Sequence, residues 1–230
     1  MVYVTGDLHG EWKRFHTRGM RRLRRGDTLL VCGDFGFIWD GSKKEQSILR
    51  RMTLLPFTIA FVDGCHENFD LLNAYPVEEW NGAPVHRICR NVVHLMRGEV
   101  YEIEGHTYFA FGGGHSGDVE FRDEPGSWWE QERPTREEIL SGMAHLEEHD
   151  NHVDYIITHE PPALLKDCLG VEASEHVEVH KFFEDIVKAC IYRKWFFGKC
   201  HINKYIPVKF YAVFDAVLPV RIKNTEMGSD

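Results

Sequence analysis

Val2-Tyr3-Val4-Thr5-Gly6-Asp7-Leu8-His9-Gly10 is the stretch from which the rest of the chain is read. A short apolar run breaks at a glycine and hands over to an Asp and a His one residue apart. Such a run, bounded by a turn signal, reads as a buried strand. The arrangement recurs four times downstream. Leu29-Leu30-Val31-Cys32 runs into Gly33-Asp34, and Phe57 to Val62 leads to Gly64-Cys65-His66-Glu67-Asn68. Tyr155-Ile156-Ile157 precedes Thr158-His159-Glu160-Pro161-Pro162, and Trp195-Phe196-Phe197 precedes Gly198-Lys199-Cys200-His201. Ligands grouped at strand ends can converge on one side of a sheet.

Around these clusters the first half of the chain alternates. Strand 2–5 leads to a helix from about Trp12 to Arg25, strand 28–32 to a helix from about Lys44 to Met52, and strand 57–62 to a short helix Phe69 to Asn73 with Asn68 as N-cap. Alternation of this kind favours a parallel sheet with helices on its face. From Val92 the runs shorten: Val92 to Leu95, Val100 to Ile103 and Thr107 to Phe111, with Glu104-Gly105 as a hairpin turn. A loop from Gly112 to Pro134 precedes a helix from Thr135 to Asp150, opened by the capping-box pair Thr135 and Glu138. Strand 154–158, a helix from about Val177 to Tyr192, strand 195–197 and runs at 205–214 and 217–222 complete the chain. The expected fold is α/β, a four-layer α/β/β/α sandwich of two mixed sheets flanked by helices. No repeat or linker divides the chain, so residues 1–230 read as a single domain.

Composition narrows the function. At 230 residues the chain can bury a full core without metal or disulfide staples. A net charge of -9 leaves no basic excess for general binding to nucleic acid or an anionic membrane. The basic run Arg14 to Arg25, interrupted by Phe15, Met20 and Leu23 at helical spacing, reads as a solvated amphipathic face. No stretch approaches the ~20 apolar residues that span a bilayer, and a cytoplasmic location is expected. The six cysteines lack C-x-x-C spacing, which argues against a zinc ribbon, a redox dithiol or a disulfide framework; Cys32, Cys89 and Cys190 read as core thiols.

Asp, His and amide oxygens suit divalent Mn, Fe or Zn, and a pair of ions needs a bridging carboxylate. In order, the clusters read D-x-H, G-D, a G-N-H-[DE]-like Gly64 to Glu67, a His after a strand, and a G-H-x-H-like Gly198 to His201. That series resembles the calcineurin-like metallophosphoesterases from Asp7 to His201. The resemblance implies hydrolysis of a phosphomonoester or phosphodiester, with one or two metal ions per chain and metal-activated water. It implies Asp7, His9 and His201 as ligands of a first metal, Asp34 as the carboxylate shared by both and His159 as a ligand of the second. His66 matches the catalytic His that gives a proton to the leaving oxygen.

Two positions depart from the family. Cys65 stands where an Asn binds the second metal, and Lys199 where a His does. A thiolate at Cys65 can still ligate and would favour zinc. A protonated Lys199 is a poor ligand; its ammonium repels a second cation and attracts Asp34 or a substrate phosphate instead. Three readings stay open: one metal with Lys199 as the second charge, a weakened dinuclear centre with Cys65 as ligand, or a catalytically weak relative that binds a phosphorylated ligand or a protein partner. The loop from Gly112 is expected to wall the site, with Arg122 and the pair Trp128-Trp129 placed to meet a phosphate and an organic group; a hydrophobic lid is the alternative. The expected partner is a phosphorylated small-molecule or nucleotide-like substrate. The sequence leaves the natural substrate, the metal and the oligomeric state open.

Overall fold

The computed structural model describes residues 1–116, 128–170 and 178–221. The opening run Val2–Thr5 is β1, and Thr28–Cys32 (β2) and Thr58–Val62 (β3) pair beside it in parallel. Val92–Leu95 (β6) extends the parallel set, and Ala83–Cys89 (β5) and Val77–Trp80 (β4) continue antiparallel to the edge. Leu218–Pro219 (β13) closes the other edge against β1. The second sheet has the same plan. Its parallel centre is His106–Phe111 (β8), Tyr155–Thr158 (β9), Lys194–Phe197 (β10) and Phe210–Ala212 (β12). Glu99–Ile103 (β7) and Lys204–Ile206 (β11) are its antiparallel edges.

Three apolar layers hold these sheets between helices, as the sequence leads one to expect. Val4, Leu30, Ala60 and Val62 of the first sheet meet Ala110, Ile157, Phe196 and Tyr211 of the second in the central layer. Alternate residues Leu29, Val31, Ile59 and Phe61 face outward onto Lys43–Met52 (α1) and Phe69–Asn73 (α2). On the far side, Phe109, Phe111, Trp195 and Phe197 pack against Arg136–Glu148 (α3), the short Lys166–Leu169 (α4) and Glu178–Ala189 (α5). Parallel strands buried on both faces need apolar residues at successive positions, which is why the strands read as continuous runs. Among the described residues, no helix is long and apolar enough to cross a membrane.

Two local expectations are corrected. The helix expected from Trp12 to Arg25 is two short 3-10 turns, Trp12–His16 and Met20–Arg22, because Thr17 turns extended at ψ 158°. Phe15, Met20 and Leu23 are buried as expected, but Arg14 is buried as well and is no part of a solvated face. The hairpin β4–β5 went unread: Val77–Trp80 is largely exposed and Glu-rich, and Pro84 sits in its partner strand. Its signal was present in Asn81-Gly82, both at positive φ (53° and 90°), the usual chemistry of a two-residue hairpin turn. Caps behave as their sequences imply. Asn68 Oδ1 accepts from Leu71 N at 3.0 Å, and Thr135 with Glu138 forms the reciprocal capping box.

Register places the clusters. Thr5 pairs with Val31 and Cys32 with Val62, while Phe111, Thr158 and Phe197 lie level in the second sheet. The loops starting at Gly6, Gly33, Asp63, Gly112, His159 and Gly198 therefore leave at the carboxyl ends of parallel strands, the usual place for a ligand in an open α/β sheet.

Candidate metal centre

Backbone strain marks the site before any side chain is considered. Asp7, His9, Asp34, Lys199 and His201 all sit at positive φ, between 33° and 66°. That region costs non-glycine residues and persists where surrounding contacts over-determine it. Here they do. His9 N donates to the Asp34 carbonyl at 2.8 Å, and buried Arg14 donates to the carbonyls of Asp7, Gly6 and Phe214 at 3.1, 3.2 and 2.6 Å. Glu67 is fully buried and accepts from Phe35 N and Gly36 N at 2.6 and 3.3 Å, fixing the loop after Asp34. Glu67 closes the G-N-H-[DE]-like motif, but its partners, the amides of Phe35 and Gly36, come only from the fold, as do the carbonyls that Arg14 holds.

Close approach of the two sheets at this edge requires glycine. A Cβ on Gly198 would strike the Cys32 carbonyl oxygen and lie 2.9 Å from Asp7 Oδ2. A Cβ on Gly33 would overlap the His159 ring.

Asp7, His9, Asp34 and His201 come together as expected, each offering a ligand atom within 4.8 Å of the others. Asp7 and Asp34 form the buried floor and His9 and His201 the accessible rim. The donor set fits a cation. His9 Nε2 and His201 Nε2 lie 2.9 Å apart, so the two ring nitrogens converge on one point and either can turn a lone pair to a shared cation. Asp7 Oδ2 is buried with no hydrogen-bond partner. Burial, with Asp34 adding to it, pushes the Asp7 carboxyl up to about 7 against the pull of His159 and Lys199. Burial lowers His9 to about 4 and lowers His201, so both rings are neutral and able to ligate near pH 7. Burial also works against the charge on Asp34, but His159, His66 and His9 outweigh it and hold the carboxyl well below the ordinary range.

His159 lies fully buried beside this set. Its Nδ1 donates to the Cys32 carbonyl at 3.1 Å, leaving Nε2 without a hydrogen-bond partner, 3.5 Å from Asp34 Oδ1. A ring oriented by a carbonyl with its other nitrogen bare is how ligating histidines are held. Burial disfavours a proton on His159, but Asp34, Cys65 and Asp7 together raise its pKa well above the ordinary value. Positive charge is wanted there too.

The two departures meet each other. Lys199 Nζ donates to Cys65 Sγ and to the His115 carbonyl, both at 3.0 Å, and lies 3.7 Å from Glu160 Oε1. The carboxylate paired with it is therefore Glu160 and not Asp34, which corrects the sequence expectation; Asp34 is already occupied by Cys65 N, His66 N and His66 Nδ1 at 2.6, 2.9 and 3.1 Å. Burial opposes the ammonium, but Cys65, Glu160 and Asp34 keep its pKa above that of a free lysine. Glu160 was visible beside His159 in the quoted cluster. What hid its role was the fold, which alone brings it to Lys199.

The His66 side chain is 45% exposed, with Nδ1 on Asp34 Oδ2. The start of the expected wall is present: Gly114 adjoins Cys65 Sγ and Glu160, and His115 accepts from Lys199. Trp129 packs edge-on against Trp39 at 5.4 Å. Arg122 lies outside the described residues.

A family model described as calcineurin-like phosphoesterase matches residues 1–192, ending before Lys199 and His201. Among curated proteins nothing matches. A solved structure of similar fold is a Staphylococcus aureus protein provisionally described as a 5′-nucleotidase, in complex with α-ketoglutarate. It is 15% identical with a TM-score of 0.49; the likeness covers 100% of this chain and 55% of that one, so this chain spans little more than half its length. With the family model covering most of its length, the chain belongs to the calcineurin-like phosphoesterase family.

Proposed function

We propose that the protein is a metal-dependent phosphoester hydrolase with one well-formed metal position, and that Lys199 supplies the charge of the second. The observation that carries this reading is the convergence of Asp7, His9, Asp34 and His201, four ligand atoms within 4.8 Å of one another, beside a buried Asp7 oxygen with no hydrogen-bond partner. Mn, Fe or Zn all suit such a set. When bound, a divalent ion supplies Lewis acidity towards a phosphoryl oxygen and activates water as the nucleophile. Asp7, His9, Asp34 and His201 hold it. His66, with Nδ1 engaged by Asp34, keeps Nε2 for the substrate and gives its proton to the leaving oxygen as the P–O bond breaks. Lys199, anchored on Cys65 and Glu160, faces the phosphate with a fixed ammonium. A phosphorylated small molecule is the substrate class. Residues 1–230 act as one domain, in the cytoplasm.

The Lys199–Cys65 contact also favours the weaker alternative, a binding protein that has lost catalysis. One experiment separates the two. The wild type, Asp7→Ala and His201→Ala are loaded with Mn or Zn, counted for metal and assayed on a chromogenic monoester and diester. Expected are about one ion per wild-type chain, loss of metal in both variants and metal-dependent turnover. Metal binding without turnover selects the binding protein. Unchanged metal content in both variants removes the ligand assignment.

A further inference from the structure

Beyond the metal centre, on its open side, lies a cavity of about 350 Å³. Its lining includes His9 and His66 together with Phe37, Trp39 and Ile48. The volume falls in the range of sites that hold a small organic molecule. Its walls are fixed from behind. Trp39 N and Asp40 N both donate to Glu45 Oε2, at 2.7 and 2.9 Å, and Asn68 Nδ2 donates to the Trp39 carbonyl at 2.7 Å. The Trp39 ring is braced by Trp129, whose Nε1 is tied to Asp70 at 2.9 Å. The buried Glu45 carboxylate is thus committed to backbone amides, and the apolar wall is set before any ligand arrives. Lys44 stands in the same lining with no carboxylate paired to it among the described residues.

Geometry decides what belongs in such a cavity. His66 lines this cavity together with Phe37, Trp39 and Ile48, so a leaving oxygen that takes its proton from His66 carries its substituent into this space. Asp40, Ser42, Lys44 and Glu45 share the lining, but Glu45 is committed to backbone amides, and in Trp39 and Ile48 a flat ring finds an indole and an aliphatic side chain to lie on.

We propose that this cavity is a leaving-group subsite for a planar aromatic ring, with Trp39 and Ile48 as its specificity-determining residues. The substrate class is then a phosphoester of an aryl or nucleobase-bearing alcohol. This rests on the phosphoesterase reading above. The ring is read by Trp39 and Ile48, while Lys44 is available to a polar edge of the ring.

The test uses three non-hydrolysable ligands on the Mn-loaded protein, by calorimetry: methylphosphonate, benzylphosphonate and the 5′-phosphonate of adenosine. Benzylphosphonate or the adenosine compound is expected to bind about tenfold more tightly than methylphosphonate. Whichever binds better tells a directly attached ring from a base carried on ribose. Trp39→Ala and Ile48→Gln should each abolish the preference and leave methylphosphonate unchanged. Equal affinity of all three for wild type overturns the subsite, as does a preference that survives both substitutions. A second arm needs neither metal nor phosphate: benzyl alcohol and adenosine are titrated into metal-free protein while the Trp39 indole and Ile48 methyl signals are followed by NMR. Shifts here with no phosphonate binding keep the subsite and remove the hydrolase reading. Phosphonate binding with no shift does the reverse.

Discussion

His66 gives the sharpest residue-scale expectation. One ring nitrogen is held by Asp34 at 3.1 Å, so the other is the group that can reach the leaving oxygen. His66→Ala should lower turnover by about 10²–10⁴-fold while metal content stays near normal. Esters with good leaving groups should lose least, because they depart without a proton; equal loss for good and poor leaving groups would make His66 a positioning residue. Cys65 and Lys199 give the second. Their contact leaves an ammonium 3.0 Å from the Cys65 thiol, where Cys65→Asn with Lys199→His would place an amide and an imidazole. The double variant should raise bound Mn or Zn from about one ion per chain towards two. A wild type that already holds two would show that the thiol and the amine do not exclude the second ion. At this scale the sequence was informative for Asp7, His9, Asp34 and His201, since each follows a strand and the strand ends align. It was uninformative for the partners of Glu160, Arg14 and Glu67, which are backbone atoms or side chains distant along the chain.

Among elements, a buried tie outside the candidate metal centre is made by Asp63, directly after β3. Arg97 donates to Asp63 Oδ2 from Nε and Nη2 at 3.0 and 2.6 Å, and His94 of β6 lies 3.1 Å from Oδ1. Arg97 also reaches Glu138 of α3 and the Gln131 carbonyl, so one buried ion pair joins the first sheet, the loop before α3 and α3 itself. Asp63→Asn would leave a guanidinium only 7% exposed with Glu138 as its remaining carboxylate and should cost about 3 kcal/mol, on the order of 10 °C in Tm. The sign with pH follows from the same contacts. Burial alone would raise the Asp63 carboxyl, but Arg97 and His94 outweigh it and hold it well below the ordinary range. A depressed carboxylate contributes in full above the unfolded value of about 3.9 and is lost as pH falls through the folded one. The gap in Tm between wild type and Asp63→Asn should therefore be constant from pH 5 to 7 and shrink below pH 4. A gap that does not narrow at all between pH 4 and pH 2 would mean Asp63 acts through packing and not through charge. Elements were legible where runs were apolar and continuous. They were misread where Thr17 breaks a helical pattern and where exposed, charged β4 carries no apolar alternation.

Across the whole molecule, the metal centre is also where the two sheets are joined. Asp7, His9 and Asp34 come from the first sheet and His201 from the second, and Gly198 lets the second sheet approach Asp7. Removing the metal should therefore loosen the contact between sheets, and how much it does so should depend on pH through Asp7. Burial raises that carboxyl to about 7, whereas it lowers His9 to about 4 and lowers His201 from its ordinary value. Between pH 5.5 and 7 the proton that competes with a metal is thus the one on Asp7, and the apparent Kd for Mn should rise about tenfold for each unit the pH falls. A slope nearer two protons would mean that His159 gives up its proton as well and takes part in ligation. Stability runs in the matching direction. A carboxyl raised above its unfolded value contributes stability below about pH 4 and loses it as pH rises through 7, so chelated protein weakens over that window. Loaded protein gains binding free energy over the same window. The Tm difference between Mn-loaded and chelated protein should widen from pH 5 to 7.5, measured at fixed free Mn; a difference that does not change with pH would show that Asp7 is not the group that exchanges its proton for the ion.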